Sequence, residues 1–204
     1  MTSGRPHLFP LVALLGALGL ACRSSERAPA DTPVARATVD SAIPMDEQLR
    51  RFRAKLDPPP DTLRHATASR EALVRRFVDD LARRDTVDLG LLLLSATEFA
   101  YLYFPEHPYS RPPYEMPPGL MWTHLRTATD RGWRALDAWY AGHHLRYLDH
   151  SCSDSIRAYG KVREAGPCTV RMIVDARDTV VASLFGGIVE RDGRFKFVTY
   201  ANKL

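Results

Sequence analysis

The sequence contains no glycine-rich phosphate loop, no CxxC pair, no GxSxG elbow and no HExxH helix. The nucleotide, redox, serine-hydrolase and zinc-protease chemistries carried by those motifs therefore have no sequence signal. Charge of one sign is also lacking: 28 Lys and Arg face 24 Asp and Glu, interspersed, for a net charge of +4. Such a balance does not suit nucleic acid, which calls for a basic patch or stripe. No apolar run reaches the roughly 20 residues that a membrane-spanning helix needs. Cysteine is scarce, with three in 204 residues. An odd number in an exported protein leaves one cysteine to be explained.

What is there begins at the N-terminus. Arg5 and His7 precede an apolar run from Leu8 to Ala21, broken only by Pro10, Gly16 and Gly19. A weakly positive start, a short apolar core and a small-residue exit describe a secretory signal peptide. The segment Leu18-Gly19-Leu20-Ala21-Cys22 resembles the bacterial lipobox, with Ala21 in place and Gly19 where that motif prefers leucine. The resemblance implies acylation of Cys22. It also implies a lipid anchor in the inner or outer membrane of a bacterial cell envelope, with the domain in the periplasm or outside. The other reading is an ordinary signal peptide cut near Ala21, which leaves Cys22 free. With Cys22 lipidated, Cys152 and Cys168 remain as a pair that an oxidising compartment lets bond.

Residues 23–44 are rich in Ala, Pro, Ser and Thr without apolar periodicity, the composition of a tether. Met45, Leu49, Phe52 and Leu56 then recur at helical spacing among Arg50, Arg51, Arg53 and Lys55. This short amphipathic helix at 45–56 either docks its apolar stripe on the domain or lies on an anionic membrane surface. Pro58-Pro59-Pro60 ends it. The chain thus divides into a signal peptide (1–21), a tether (22–68) and one domain (69–204), long enough for a real core.

Within the domain, Leu73, Phe77 and Leu81 form a helical stripe with Val74 and Val78 beside it. Arg75, Arg76, Asp79, Asp80, Arg83 and Arg84 take the outer, solvated face. Residues 85–88 read as a break, and Leu91 to Leu94 as buried in any conformation. Ser95-Ala96-Thr97-Glu98 matches a capping box that starts a short helix to Phe104. From Pro105 to Gly119, six prolines forbid helix and central strand, so the segment is extended. A loop of that length either serves function or is pinned across the surface by its own aromatics. Tyr101, Tyr103, Tyr109, Tyr114 and Trp122 are the candidate ligand or partner residues. Glu98, Glu106 and His107 are the acid–base alternative. A helical region over 120–141 follows, with Gly132 as an expected bend.

After Cys152 the apolar period changes to two. The segments 155–163, 168–175, 179–189 and 194–200 read as a four-stranded antiparallel meander, with 143–148 as a fifth strand. Asp192-Gly193 is a hairpin dipeptide. His143, His144, Asp149 and His150 do not have the spacing of a standard metal site, and adjacent strand residues point to opposite faces. No metal or cofactor is expected.

Helices followed by a curved antiparallel meander make an α+β domain. With its last hairpin, Phe185-Gly186-Gly187-Ile188-Val189-Glu190-Arg191-Asp192-Gly193-Arg194-Phe195-Lys196-Phe197, residues 69–204 resemble the NTF2-like cone-shaped folds in element order. The chain departs from them in having no clear early hairpin. That resemblance implies a concave site and no particular chemistry. Two functions follow as expectations. The first is a membrane-anchored, non-catalytic domain binding a small apolar ligand or an envelope protein. The alternative is a small cofactor-free hydrolase or isomerase with its site in the cone.

Overall fold

The computed structural model describes residues 43–204 apart from Lys203. The signal segment, Cys22 and most of the tether lie outside the described residues. Those described belong to one compact unit, and none of their helices is long and apolar enough to cross a membrane.

Helix α1 (Met45–Arg53) is the amphipathic segment. Met45, Leu49, Phe52 and Leu56 are half-buried against a cluster built on Leu63, Phe99, Tyr103, Phe104, Met121 and Val189. Phe52 meets Phe99 edge-on at 5.9 Å, and the Arg53 guanidinium donates to the Ala100 carbonyl oxygen at 2.8 Å. The apolar stripe is therefore covered by protein, and the folded unit begins ahead of residue 69.

Helix α2 (Arg70–Arg83) starts where Ser69 Oγ accepts the Ala72 N–H at 3.0 Å. Its stripe of Leu73, Val74, Phe77, Val78 and Leu81 is fully buried. The stretch after it is not a break, because the Asp85 side chain caps α3 (Thr86–Leu91) by accepting the Asp88 N–H. Ser95 and Glu98 form the expected capping box on the single turn α4 (Ala96–Glu98). The chain then widens into a π-helical turn over Phe99–Tyr103. Helix α5 (Pro118–Trp139) runs without interruption through Gly132. That glycine does not bend the helix; a Cβ there would lie 1.7 Å from the Tyr200 carbonyl oxygen, so it lets the C-terminal segment cross the helix in contact.

Seven strands follow: β1 (Leu145–Cys152), β2 (Arg157–Tyr159), β3 (Val162–Ala165), β4 (Cys168–Val174), β5 (Asp178–Ala182), β6 (Ile188–Arg191) and β7 (Arg194–Phe197). They form a three-stranded sheet β1-β4-β5 and a four-stranded sheet β2-β3-β6-β7, all antiparallel. Three expectations change, and seven strands stand where four or five were expected. Residues 155–163 hold the turn between the paired strands β2 and β3, they do not pair with 168–175, and the apolar run 179–189 is two strands in different sheets.

The registers nevertheless run on from sheet to sheet. Cys152 faces Cys168 and Arg157 then faces Glu164, while Val170 faces Ala182 and Ala165 then faces Ile188. The strands are thus the halves of longer strands bent at 153–156, 166–167 and 183–187. At the bend Gly166 takes φ 155° and lies so near the Gly186 carbonyl that a Cβ would sit 3.0 Å from its oxygen. The two strands touch there through backbone, which only glycine allows. Asp192 and Gly193 both take positive φ in the β6–β7 turn, as a type I′ hairpin requires.

One charge expected in solvent is inside. Asp80, on the polar side of α2, is wholly buried. Its Oδ1 accepts from Arg83, and its Oδ2 has no hydrogen-bond donor. Arg76 instead holds Asp88 with both nitrogens, Nε to Oδ2 at 2.6 Å. Burial and the neighbouring Asp88 carboxylate push Asp80 up to about 7. The Arg76 guanidinium and a hydrogen bond with Asp80 hold Asp88 down to about 2. A carboxyl whose folded pKa is raised contributes stability that is full below its unfolded value and lost as pH rises through the folded one. Thermal melts should therefore show the wild type losing stability relative to Asp80→Asn as pH rises from about 4 to 7. Parallel curves for the two proteins would contradict this assignment.

Candidate functional site

The proline-rich segment is held in one conformation by its own hydrogen bonds. His107 Nδ1 accepts the Tyr109 N–H at 3.2 Å and caps a 3₁₀ turn over Pro108–Ser110. Ser110 Oγ donates to the His107 carbonyl at 2.8 Å, and the Met116 N–H donates to the Tyr109 carbonyl at 2.7 Å. These bonds stack a row of rings. Tyr103 and His107 lie 5.2 Å apart, His107 and Tyr109 4.8 Å, and Tyr109 and Tyr114 5.1 Å. Tyr159, from β2, closes on His107 at 5.1 Å. The row rises from a buried tyrosine to an open one: Tyr103 is 2% exposed, Tyr109 39% and Tyr114 61%.

The buried end is polar and fully paired. The Tyr103 hydroxyl donates to Glu164 Oε2 at 2.9 Å, and Arg157 donates to Glu164 Oε1 at 2.7 Å. Burial and the Glu164 carboxylate raise the Tyr103 pKa, so the phenol stays a donor. Burial lowers His107 below its usual value, which keeps the ring neutral and agrees with Nδ1 acting as an acceptor. The result is a rigid, uncharged aromatic surface on a charged but neutralised base.

The other two aromatic candidates lie elsewhere. Tyr101 sits under the Arg53 guanidinium at 4.4 Å. Trp122 packs on Phe99 at 5.2 Å and is half-buried. Tyr159 belongs to the row and was missed. It shares a face with Arg157 in a short edge strand, alternating with Ala158, and only the pairing of β2 with β3 brings it to the loop.

The acid–base candidates occupy three neighbourhoods. Glu98 is 1% exposed and accepts from the N–H groups of Ser95 and Arg64 and from Lys196 Nζ, the last at 2.8 Å. Glu106 stands between Arg111 and Arg191, 3.9 Å from each, with its carboxylate filling the space beside Gly160. His107 is the ring described above. Lys196, itself 2% exposed, was missed. Alternation placed it on a strand face but could not show that both faces of that strand are covered. Burial lowers its pKa despite Glu98.

The histidine-rich stretch does not gather. His143 pairs with Asp175 at 2.8 Å, His150 with the Tyr147 hydroxyl at 2.8 Å, and Asp149 with Arg171. Among the described residues no cluster of three or more metal-type ligands occurs. Cys152 and Cys168 are joined by a disulfide, opposite each other in β1 and β4.

Fold and surface together define an α+β domain with a filled core and an outward aromatic row. No family model matches the chain, and no curated protein or solved structure matches it either.

Glu98 and Lys196 are too buried for solvent to replace a lost partner. Lys196→Met leaves a buried carboxylate with two backbone donors and should cost about 3 kcal/mol. For a chain of this size the corresponding fall in melting temperature is about 6–12 °C. A variant that melts with the wild type would show the pair to be solvated.

Proposed function

We propose that the chain is an exported lipoprotein, anchored through Cys22, whose domain binds a small apolar ligand or an envelope protein on its aromatic and proline-rich face without catalysis. The observation that carries the binding half is the exposure of Tyr109 and Tyr114 as an ordered edge-to-face pair over a filled core. Large aromatics held open at a fixed geometry offer contact area with little ordering cost. The alternative, an enzyme with a carboxylate and a histidine in one cavity, lacks that arrangement among the described residues, since Glu98, Glu106 and His107 are each tied to separate partners. The element order and the continuous bent strands support the NTF2-like reading of the domain. The anchor rests on the lipobox-like Leu18–Cys22 and on Cys152 and Cys168 being paired, which leaves Cys22 as the odd cysteine.

Replacing Tyr109 and Tyr114 together by Ala should abolish photo-crosslinking from position 111 to its binding partner in intact cells. The melting temperature should fall by no more than about 2–4 °C, the equivalent of about 1 kcal/mol. A collapse in stability would instead identify the segment as a structural wrap. Palmitate labelling should be present in the wild type and lost in Cys22→Ser. A wild type that takes up no label is a plainly secreted protein.

A further inference from the structure

Gly90 is a helix residue that no local rule explains. It lies within α3, where glycine is about 1 kcal/mol less favourable than alanine. Its φ is not in the left-handed range, so it is not a helix terminator. A Cβ built on it would meet nothing within 4 Å, so no neighbour needs its small size. Gly132, Gly166 and Gly186 each admit a close neighbour; Gly90 admits empty space.

Three clefts adjoin in that space, of about 140, 220 and 180 Å³, and Gly90 and Leu93 line all of them. The first runs over Leu125, Trp122 and Val198. The third runs over Leu89, Trp133 and Tyr200. The second ends on the Glu98–Lys196 pair. The second is lined mainly by polar and charged side chains, whereas the first and third also share Arg126 and Thr129, and together these two reach the lower end of an ordinary ligand site as a trough. The trough lies between α3 with the Leu93 segment and the apolar stripe of α5. Arg126 is exposed on the lip shared by the first and third clefts, and no ion pair or hydrogen bond is made by it among the described residues. Asp130, one turn on, lines the third cleft alone, so the first-cleft side of Arg126 is the side open to an anion.

We infer that this trough is a binding site for a single acyl chain carrying an anionic head. The chain lies against Leu93, Leu125 and the two tryptophans, crossing where the Gly90 side chain is missing, and the head meets Arg126. The glycine is then kept for the room it leaves, at the expense of helix stability. This site lies at the β7 edge of the four-stranded sheet, away from the tyrosine row at the β2 edge, and does not depend on the function proposed above.

Two of the three tryptophans, Trp122 and Trp133, line the trough, while Trp139 is 64% exposed. Titrating the full chain with a bromine-labelled twelve-carbon fatty acid should quench tryptophan fluorescence saturably. Gly90→Leu, whose Cβ meets nothing within 4 Å, reaches into the junction and should weaken that binding at least tenfold while melting no lower than the wild type. Gly90→Ala should melt slightly higher and bind several-fold more weakly. Arg126→Gln should lower affinity for the acid and leave affinity for the matching alcohol unchanged. Absence of saturable quenching, or quenching that Gly90→Leu leaves intact, overturns the proposal. If Gly90→Leu does not fold, unchanged binding by Gly90→Ala overturns it equally.

Discussion

The four-stranded sheet is packed on both faces where Ala165, Ile188 and Phe197 line up, with Glu164, Val189 and Lys196 behind them, while Arg163 stays in solvent. Much else in the domain follows from that packing. Alternation puts Ala165, Ile188, Phe195 and Phe197 on one side, against α2 and the Phe77–Phe185–Tyr200 aromatics. It puts Val162, Glu164, Val189, Lys196 and Val198 on the other, against the π-helical turn, α1 and α5. A charge on a doubly covered sheet has no water to fall back on, so each must find a partner inside. Glu164 finds Tyr103 and Arg157, Lys196 finds Glu98, and Arg191 donates to the Leu102 carbonyl. All of these partners but Arg157 come from the segment 98–103. That segment owes its position as much to the charges of the sheet as to its own apolar residues.

Bending supplies the second half of the architecture. A flat meander could not face α2 with one half and still place its other half between two cores. Gly166 and Gly186 let neighbouring strands meet by backbone at the corner, and Ser153 donates to the Pro167 carbonyl across it at 2.9 Å. Beyond β7 the chain leaves the sheet and crosses α5 at Gly132, where Asn202 donates to the Gly132 carbonyl at 2.9 Å. This crossing locks the long helix to the end of the meander. It explains why α5 runs uninterrupted through a residue that sequence alone marks as a weak point.

Much of this was legible in the sequence where a local rule acts alone. The Ser95–Glu98 box, the stripe of α2, the Asp192-Gly193 turn and the period-two segments all depend on neighbours a few residues apart. What was not legible depends on meetings between distant segments. Asp80 looks like surface because its position on α2 is polar; only the packing of α3 against it buries the carboxyl. Gly132 looks like a bend because the residue touching it is Tyr200. Tyr159 and Lys196 sit in clean alternating patterns, but alternation gives the face and not what covers it. The corner at 183–187 was missed because Val180 to Val189 carries no charge and only Ser183 interrupts its apolar run, so hydrophobicity does not mark the change of sheet.

Filling both cores also bears on where the proposed binding surfaces lie. Phe77, Phe185, Phe197 and Tyr200 pack on one face of the sheet and Phe99, Tyr103 and Phe104 on the other. Both surfaces proposed above lie at the edges of the four-stranded sheet. At the β2 edge, Tyr159 and the proline-rich segment build outward, adding aromatic surface beyond the last strand. At the β7 edge, α3 carries a glycine and the surface opens inward as a trough. The charges holding both edges, Glu164 in one case and the Glu98–Lys196 pair in the other, stand on the same face with Val189 between them. Antiparallel neighbours lie about 5 Å apart, so the two buried anchors are separated by only about 10 Å through a close-packed residue. Glu164, Val189 and Lys196 thus form one cross-strand row, which joins the two edges through a single packed residue.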